Sequence, residues 1–390
     1  MSVEILSFGN TDKKNLKRFV KFPLKLYKIE EKFVPPLNME LLGNKLFKAV
    51  GLLTKEHPFH EHADVIYFLA LKNKKVCGRI SAHVNYNHIK FHNEKAGFFG
   101  FFECINDKEV AAALFNSAKA WLREKGMEIA RGPANFSSNE GWGLLVENFE
   151  DYPMLYTSYN KKYYESLILN EGFEKSMDLV AQLMPVMDRT DEEKNRRARL
   201  EKISEKVKTK NGIMVRPVRL DKHFDEDLEH VMHIYQNAWG KNWGFVPLTK
   251  HEFDDLAVGM KALLLPGLAS LAFVNGEPAA FIASLSDINE FSRRKKSILG
   301  NSDVVRLLRF LINRKKQKQV RLLLFGIVEK YRKIGLDSVL FINSYKVAQP
   351  HGLERCEVSW LLETNDLVIK HGEAMGAKEY RRWRLYDYKL

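Results

Sequence analysis

Three cysteines in 390 residues, Cys77, Cys104 and Cys356, are too few and too scattered for a disulfide framework or a zinc site, which points to a reducing compartment. No run approaches the roughly 18–20 apolar residues that a membrane span needs. The longest, Ala262 to Val274, is broken by Pro266 and Gly267. A secretory leader is not expected, because Glu4, Asp12, Lys13 and Lys14 stand where its apolar core would lie. Nor is the chain poor in core-forming residues: 45% hydrophobic and 28% charged are globular values. At roughly 100–200 residues per domain, the length predicts about two domains. The expectation is a soluble, cytoplasmic protein.

What the chain has in excess is positive charge, and nearly all of it lies in one place. The formal net charge is +13, and the window from Arg293 to Lys333 carries +12 of it, with only Asp303 and Glu329 as acids. A uniformly basic chain would suggest general affinity for nucleic acid. A near-neutral chain with one cationic segment suggests a specific polyanion or an anionic membrane surface instead, and nucleic acid is not the favoured partner.

The segment following Met184–Pro185 is almost wholly charged, with helix-forming residues and no apolar stripe, and it closes at Asn211–Gly212. It reads as a solvated connecting helix or linker over 186–213, between domains spanning 1–185 and 214–390. The two flanks repeat one pattern. Helical spacing (Leu16–Glu31; Asp225–Asn237 and His251–Leu264) precedes a hairpin, Val65–Val84 in the first half and Ala269–Ser284 in the second. A strand then leads into a helix: Gly97–Cys104 before Glu109–Lys125, and Val320–Val328 before Gly335–Ala348. Further strands (Glu128–Gly132; Arg355–Leu361), helices (Asn160–Gly172; Asn365–Gly376) and closing extended segments (Ser176–Met184; Glu379–Leu390) complete each copy. This is a mixed α/β (α+β) tandem repeat.

The second half carries the best local signal. A strand, Arg321–Val328, runs into Glu329-Lys-Tyr-Arg332-Lys333-Ile334-Gly335-Leu336-Asp337 and then a helix. Backbone N–H groups at a helix N-terminus, aided by the helix dipole, bind anions; Gly335 permits close approach, and Arg332 and Lys333 add charge. The order of elements and this loop resemble the GNAT acyltransferase superfamily and its R/Q-x-x-G-x-G/A motif, from which Asp337 departs at the last position. The stretches Arg131–Ser137, Gly143–Phe149, Tyr159–Glu165, Glu357–Glu363 and Tyr380–Tyr386 resemble one branch, the tandem GNAT-like bacterial N-acyltransferases. That branch includes enzymes resembling acyl-CoA-dependent ceramide synthases, and the resemblance runs over essentially the whole chain.

The resemblance implies two tandem GNAT-like domains, each a mixed, mostly antiparallel twisted sheet flanked by helices. It implies acyl transfer from a coenzyme A thioester to an amine, in the ceramide-synthase-like branch a long-chain, sphingoid-like lipid amine, with no metal. The coenzyme would contact Phe325, Gly326, Ile327, Val328, Arg332, Lys333, Gly335, Leu336 and Asn365. Such chemistry needs a positioned thioester, a group that takes the amine proton, and oxyanion stabilisation. Glu357 is the candidate base on the adjacent strand, sharing a face with Arg355, Ser359 and Leu361. The tyrosine that many members place in the last helix is replaced by Gly372 here and by Ile168 in the first half, which makes Ser359 and His371 its candidate substitutes.

The first half has acids where a phosphate would bind, in Ile105-Asn-Asp-Lys-Glu109, and reads as a copy that no longer holds coenzyme. His57, His60 and His62 have no fourth ligand at metal-site spacing and read as packed or solvated imidazoles. Phe98–Phe102 lacks the interleaved basic residues of a base-stacking strand and reads as core. The segment 287–319 is an insertion relative to the first half. Ser302 can cap a helix from Asp303 whose broad apolar face (Val304, Val305, Leu307, Leu308, Phe310, Leu311, Ile312) opposes Arg306 and Arg309. Three readings stay open: a helix packed on its own domain, an interfacial helix that docks 293–318 on anionic lipid, or, least favoured, nucleic-acid contact. Whichever of the first two holds decides which face of the helix meets protein. The rival functions are an aminoacyl-tRNA-dependent transferase of paired GNAT-like architecture and a non-catalytic acyl-CoA or ligand-binding protein.

Overall fold

A computed structural model describes residues 2–297 and 299–390. Contacts divide the chain into two units: Met1–Leu179 with Phe291–Arg309 and Arg381–Leu390, and Val180–Glu290 with Phe310–Tyr380. Part of the basic insert and the end of the last strand thus group with the first unit, not with their neighbours in sequence.

The first unit opens with β1 (Glu4–Phe8), α1 (Lys13–Leu26) and α2 (Asn38–Leu42). The hairpin β2 (Ala63–Lys72) and β3 (Lys75–Asn85) turns through Asn73 and Lys74, both at positive φ, the two-residue geometry that suits a twisted hairpin. Then come α3 (Tyr86–His92), β4 (Ala96–Cys104), α4 (Lys108–Glu124) and β5 (Ile129–Gly132). Short strands β6 (Ala134–Asn135), β7 (Gly141–Trp142) and β8 (Leu144–Glu147) precede α5 (Tyr164–Asn170) and β9 (Glu174–Pro185). The Phe98–Phe102 run is core: Phe99 and Phe102 pack with Leu114, Phe115 and Phe173, while Phe101 joins Phe19 and Tyr67 on the other face.

The second unit contains α6 (Asp191–Lys210), β10 (Ile213–Pro217), α7 (Phe224–Trp239) and α8 (Lys250–Lys261). Its hairpin, β11 (Leu264–Val274) and β12 (Glu277–Ser286), again turns through two positive-φ residues, Asn275 and Gly276. After α9 (Asp303–Asn313) follow β13 (Gln319–Ile327), α10 (Leu336–Ala348), β14 (Arg355–Leu362), α11 (Asp366–Ala374) and β15 (Lys378–Lys389). The strands run in the order β14-β13-β12-β11-β10, parallel only between β13 and β14. Leu336, Val339 and Leu340 of α10 pack on one face with Ala272, Ala280 and Ile282. Ile234, Tyr235 and Phe253 of α7 and α8 pack with Leu271, Phe273 and Phe281 on the other.

Three sequence expectations change. The charged stretch 186–213 is a helix, α6, closed by a Thr190–Glu193 capping box, but it is no free connector. Leu200 and Val207 pack into the α10 cluster, and a Cβ on Gly335 would sit 3.1 Å from Val207. The closing segment Glu379–Leu390 does not finish the second half. From Tyr386 to Lys389 it pairs antiparallel with β5, where Arg131 binds Asp387 at 2.8 Å and fixes the register.

The insert helix α9 does not pack on protein through its apolar face, as the first of the three readings has it; its polar edge is the packed one. Arg306 is buried and donates to the carbonyls of Pro35 and Pro36, and Arg309 donates to that of Gly300. Val304, Leu308, Leu311 and Ile312 are at least half exposed, and of the expected apolar face Phe310 is buried. Asp303 explains the inversion: its carboxylate accepts the N–H groups of Asn38 and Met39 at the start of α2, so the polar edge of α9 faces protein.

Candidate acyl-transfer site

In the second unit β13 and β14 pair over four residues, Gln319–Leu322 against Arg355–Val358. The ladder stops there, although β13 continues to Ile327 and β14 to Leu362. A bulge in β13, where Ala283 faces Leu324 but Ser284 faces Leu322, bends the strand away at this level. Two parallel strands that part leave a fork whose inner backbone groups lack a ladder partner, and an extended amide-bearing ligand can supply one.

A buried polar network sits at the fork. Arg321 and Glu357, directly opposite each other in the ladder, are both fully buried. The Ser359 hydroxyl donates to Glu357 Oε1 at 2.5 Å and accepts from Arg321 Nε at 2.8 Å. Arg321 Nε lies 3.6 Å from the same carboxylate oxygen, and its guanidinium stacks 4.7 Å over the Trp360 ring. The other oxygen, Oε2, accepts from the Tyr380 hydroxyl. Arg355 is not part of this group; it donates to Gln319. The structure therefore brings Glu357 and Ser359 together and adds Arg321 and Tyr380, which the sequence reading missed. Alternation puts Arg321 on one strand face, but only the register places it against Glu357. Tyr380 stood in a stretch singled out by resemblance, without a role.

His371 lies elsewhere. Its Nδ1 is 2.7 Å from Asp337, at the start of α10. The absent helix tyrosine has a packing consequence: a Cβ on Gly372 would lie 2.0 Å from Gln182 Oε1, so this glycine is the seat of Gln182, whose amide donates to Ile369.

The loop between β13 and α10 is held from below. Lys241 binds Glu329 at 2.7 Å, Lys330 binds Glu277 at 2.5 Å, and Arg332 donates to the carbonyl of Ala238 at 2.7 Å. Gly335, at φ +87°, caps α10, a conformation that a side chain would strain. The first-turn N–H groups of α10 have no acceptor within the helix. Asp337, the misplaced charge of the motif, has its carboxylate on His371. Lys333 is exposed and has no ion pair among the described residues. These features fit a phosphate-bearing ligand at the helix start. Of the four strand residues expected beside the ligand, Phe325 has its carbonyl already taken by Trp239 Nε1 at 3.0 Å. Gly326 and Ile327 still pair with β12, and Val328 bonds Ala279. Asn365 starts α11 without using its side chain as a cap.

The equivalent fork in the first unit is filled by its own residues. β4 and β5 pair over three residues, Ala96–Phe98 against Ile129–Arg131. Beyond that point Asn135 accepts the Phe101 N–H at 2.7 Å, and a Cβ on Gly100 would lie 1.9 Å from the carbonyl oxygen of Ala134. Tyr163 donates to the Cys104 carbonyl, while Tyr164 accepts the Cys104 N–H and donates to buried Glu103. At the start of α4 the carboxylate of Asp107 accepts the N–H groups of Glu109 and Val110, and Lys72 beside it holds its pKa below the ordinary range. The anion position of this helix is thus taken by the chain itself. The loop histidines pack on aromatic rings: His60 against Phe59 and Phe136, His62 against Phe59. Among the described residues no group of three or more His, Cys, Asp or Glu could hold a metal.

No family model matches the chain. Its whole length aligns with the protein YghO of Escherichia coli K12, at 30% identity over 385 residues, covering 97% of this chain and 94% of that one. The chain belongs to the YghO family. A second relative, the bacterial ceramide synthase of Caulobacter vibrioides, is 29% identical over 380 residues, covering 96% and 95% of the two chains. A solved structure, a tandem GNAT protein from the clavulanic acid biosynthesis pathway, superposes on all of this chain and 98% of its own with a TM-score of 0.57 at 10% identity. The fold of this YghO-family protein is that of a tandem GNAT protein, and its branch is the one containing the bacterial ceramide synthase.

Proposed function

We propose that the protein is an acyl-CoA-dependent N-acyltransferase whose acceptor is a long-chain amine, working at the fork of the second unit. The observation that carries this is the presence in one unit of three things: splayed strands, an α10 N-terminus whose first-turn N–H groups have no acceptor within the helix, and a carboxylate backed by two hydroxyls. The pyrophosphate of the coenzyme would rest on the N–H groups of α10 with Lys333 beside it. The amine attacks the thioester carbon and the C–S bond breaks. The amine proton passes to Glu357 through the Tyr380 hydroxyl, and the same proton returns through Tyr380 to the departing thiolate, which leaves as the free thiol. Ser359 and Arg321 hold Glu357 in place. The filled fork of the first unit supports a role for that unit other than coenzyme binding.

This reading is tested by thermal stabilisation with coenzyme A. Wild type is expected to gain stability, and Lys333→Glu to lose most of that gain while melting as wild type does without ligand, since Lys333 is exposed. Absence of a shift in wild type would favour the RNA-dependent or non-catalytic alternatives.

We also place the protein at an anionic membrane surface on the cytoplasmic side. No helix among the described residues is long and apolar enough to cross a membrane. The outward face of α9 (Val304, Leu308, Leu311, Ile312) lies between exposed lysines 295 and 296 before it and 315, 316 and 318 after it, the chemistry of an interfacial helix. In vesicle sedimentation, phosphatidylglycerol should retain the protein better than phosphatidylcholine. The double change Leu308→Asp, Leu311→Asp should weaken retention by about tenfold or more, given ~1.5–3 kcal/mol per buried leucine. Equal retention of wild type by both vesicles would remove this assignment.

A further inference from the structure

The second unit contains a cavity of about 70 Å³ between α7, α8 and strands β11–β13. All fifteen residues around it have apolar side chains. Water needs two to four polar partners to occupy such a space, and unfilled volume in a core is destabilising, so the cavity has neither a solvent nor a packing rationale.

Its position supplies one. Leu324 of β13 forms part of the wall, one residue before Phe325 and opposite Ala283, at the bulge where β13 leaves its neighbour. The cavity therefore begins on the strand that carries the candidate site. Phe281 and Ala283, on the α7/α8 face of β12, line it on one side, and Phe253 and Ala257 of α8 on another. At the rim, Val218, Leu228 and Leu256 are only partly buried, so the space is not sealed in the core. Another wall residue, Leu264, has its carbonyl held by Arg314, directly after α9.

We infer that this cavity binds the linear alkyl chain of a substrate, so that the protein selects long-chain substrates by burying methylene groups there. The inference rests on the acyl-transfer reading for the identity of the substrate, and extends it from the reacting groups to the tail. A polar or charged group would find no hydrogen-bond partner among these side chains, which leaves a hydrocarbon as the fitting occupant. The chain can come from the acyl thioester or from the amine, since both meet at the fork. A chain longer than the cavity continues past the rim at Leu228 and Leu256.

Dissociation constants of acetyl-CoA, octanoyl-CoA and palmitoyl-CoA, and of butylamine and hexadecylamine, would be measured on the full-length protein. Wild type and the cavity-filling variants Ala257→Phe and Ala283→Leu would be compared, with melting temperatures to show that each variant is folded. Palmitoyl-CoA is expected to bind about tenfold or more tighter than acetyl-CoA in wild type. In a folded variant that advantage should vanish while acetyl-CoA affinity stays unchanged. If hexadecylamine shows this behaviour instead, the cavity serves the acceptor's chain. Length preference that is absent for both series, or that survives in every folded variant, overturns the inference and leaves the acyl-transfer reading intact. Failure of every coenzyme A ester to bind overturns the acyl-transfer reading, and the amine series then still decides whether the cavity takes an alkyl chain.

Discussion

Glu357→Gln is expected to lower kcat by about 10²–10⁴-fold, the usual contribution of a positioned general base, with little change in KM for the acyl-CoA. The amide keeps the shape of the carboxylate and can still accept from Ser359 or Tyr380, but it cannot take a proton from the amine. The substitution leaves Arg321 buried beside a neutral group, so kcat has to be read well below the melting temperature of the variant. Glu357→Asp, which restores the charge with a shorter reach, should recover part of the rate. Tyr380→Phe removes the hydroxyl that donates to Glu357 Oε2 and should lower kcat in the same direction. If Glu357→Gln turns over as wild type does, the carboxylate is an internal ion pair for Arg321 and nothing more.

Asp178→Ala should cost about 3–5 kcal/mol of stability, the range for removing one partner of a buried ion cluster. Asp178 on β9 is 1% exposed and accepts from Arg384 at 2.7 and 2.9 Å and from Arg382 at 3.1 Å, both on β15, with Lys175 at 3.1 Å. Without it Arg384 keeps Glu165 and Arg382 keeps Glu147, but β15, still paired with β9 in the sheet, loses its ion pairs to that strand. For a unit of this size the loss corresponds to a fall in Tm of roughly 10 °C. The same carboxylate sets a pH dependence. Burial opposes its ionisation, but Arg384, Lys175 and Arg382 outweigh burial and hold its pKa at about 2, below the ordinary 3.8. A depressed acid contributes stability that is present above its unfolded pKa and is lost as pH falls through the folded one. Melting temperature should therefore drop between about pH 4 and pH 2 in wild type. Asp178→Asn, which starts lower, should lack this part of the slope; a parallel acid profile in the two proteins would rule the cluster out as its source.

Much of this arrangement was legible in the chain. Both hairpins could be placed because Lys72–Lys75 and Val274–Glu277 bracket two-residue turns, where polar or glycine residues accept positive φ at small cost. The strand–loop–helix around Gly335 was readable because the apolar period changes from two to 3.6 on either side of a glycine. Glu357 and Ser359 could be put on one strand face by alternation alone. Arg321 and Tyr380 could not be joined to them, because alternation gives a face but no register and no partner strand.

The same limit explains the larger surprises. An amphipathic helix at 303–313 follows from its residues, but periodicity says only that two faces differ, not which one meets protein. Asp303 on α2 and Arg306 on the Pro35 and Pro36 carbonyls decide that, and both contacts lie more than 260 positions away along the chain. The last strand is as good a β-segment for either half by composition; Arg131 against Asp387 and Asp178 against Arg384 direct it to the first unit. The order and type of the elements, the repeat and the loop before α10 were thus determined by local sequence, because turn chemistry and hydrophobic period act over a few residues. Strand partners, the facing of α9 and the composition of the buried network were decided by the tertiary structure, because they depend on charges and carbonyls that only folding brings together.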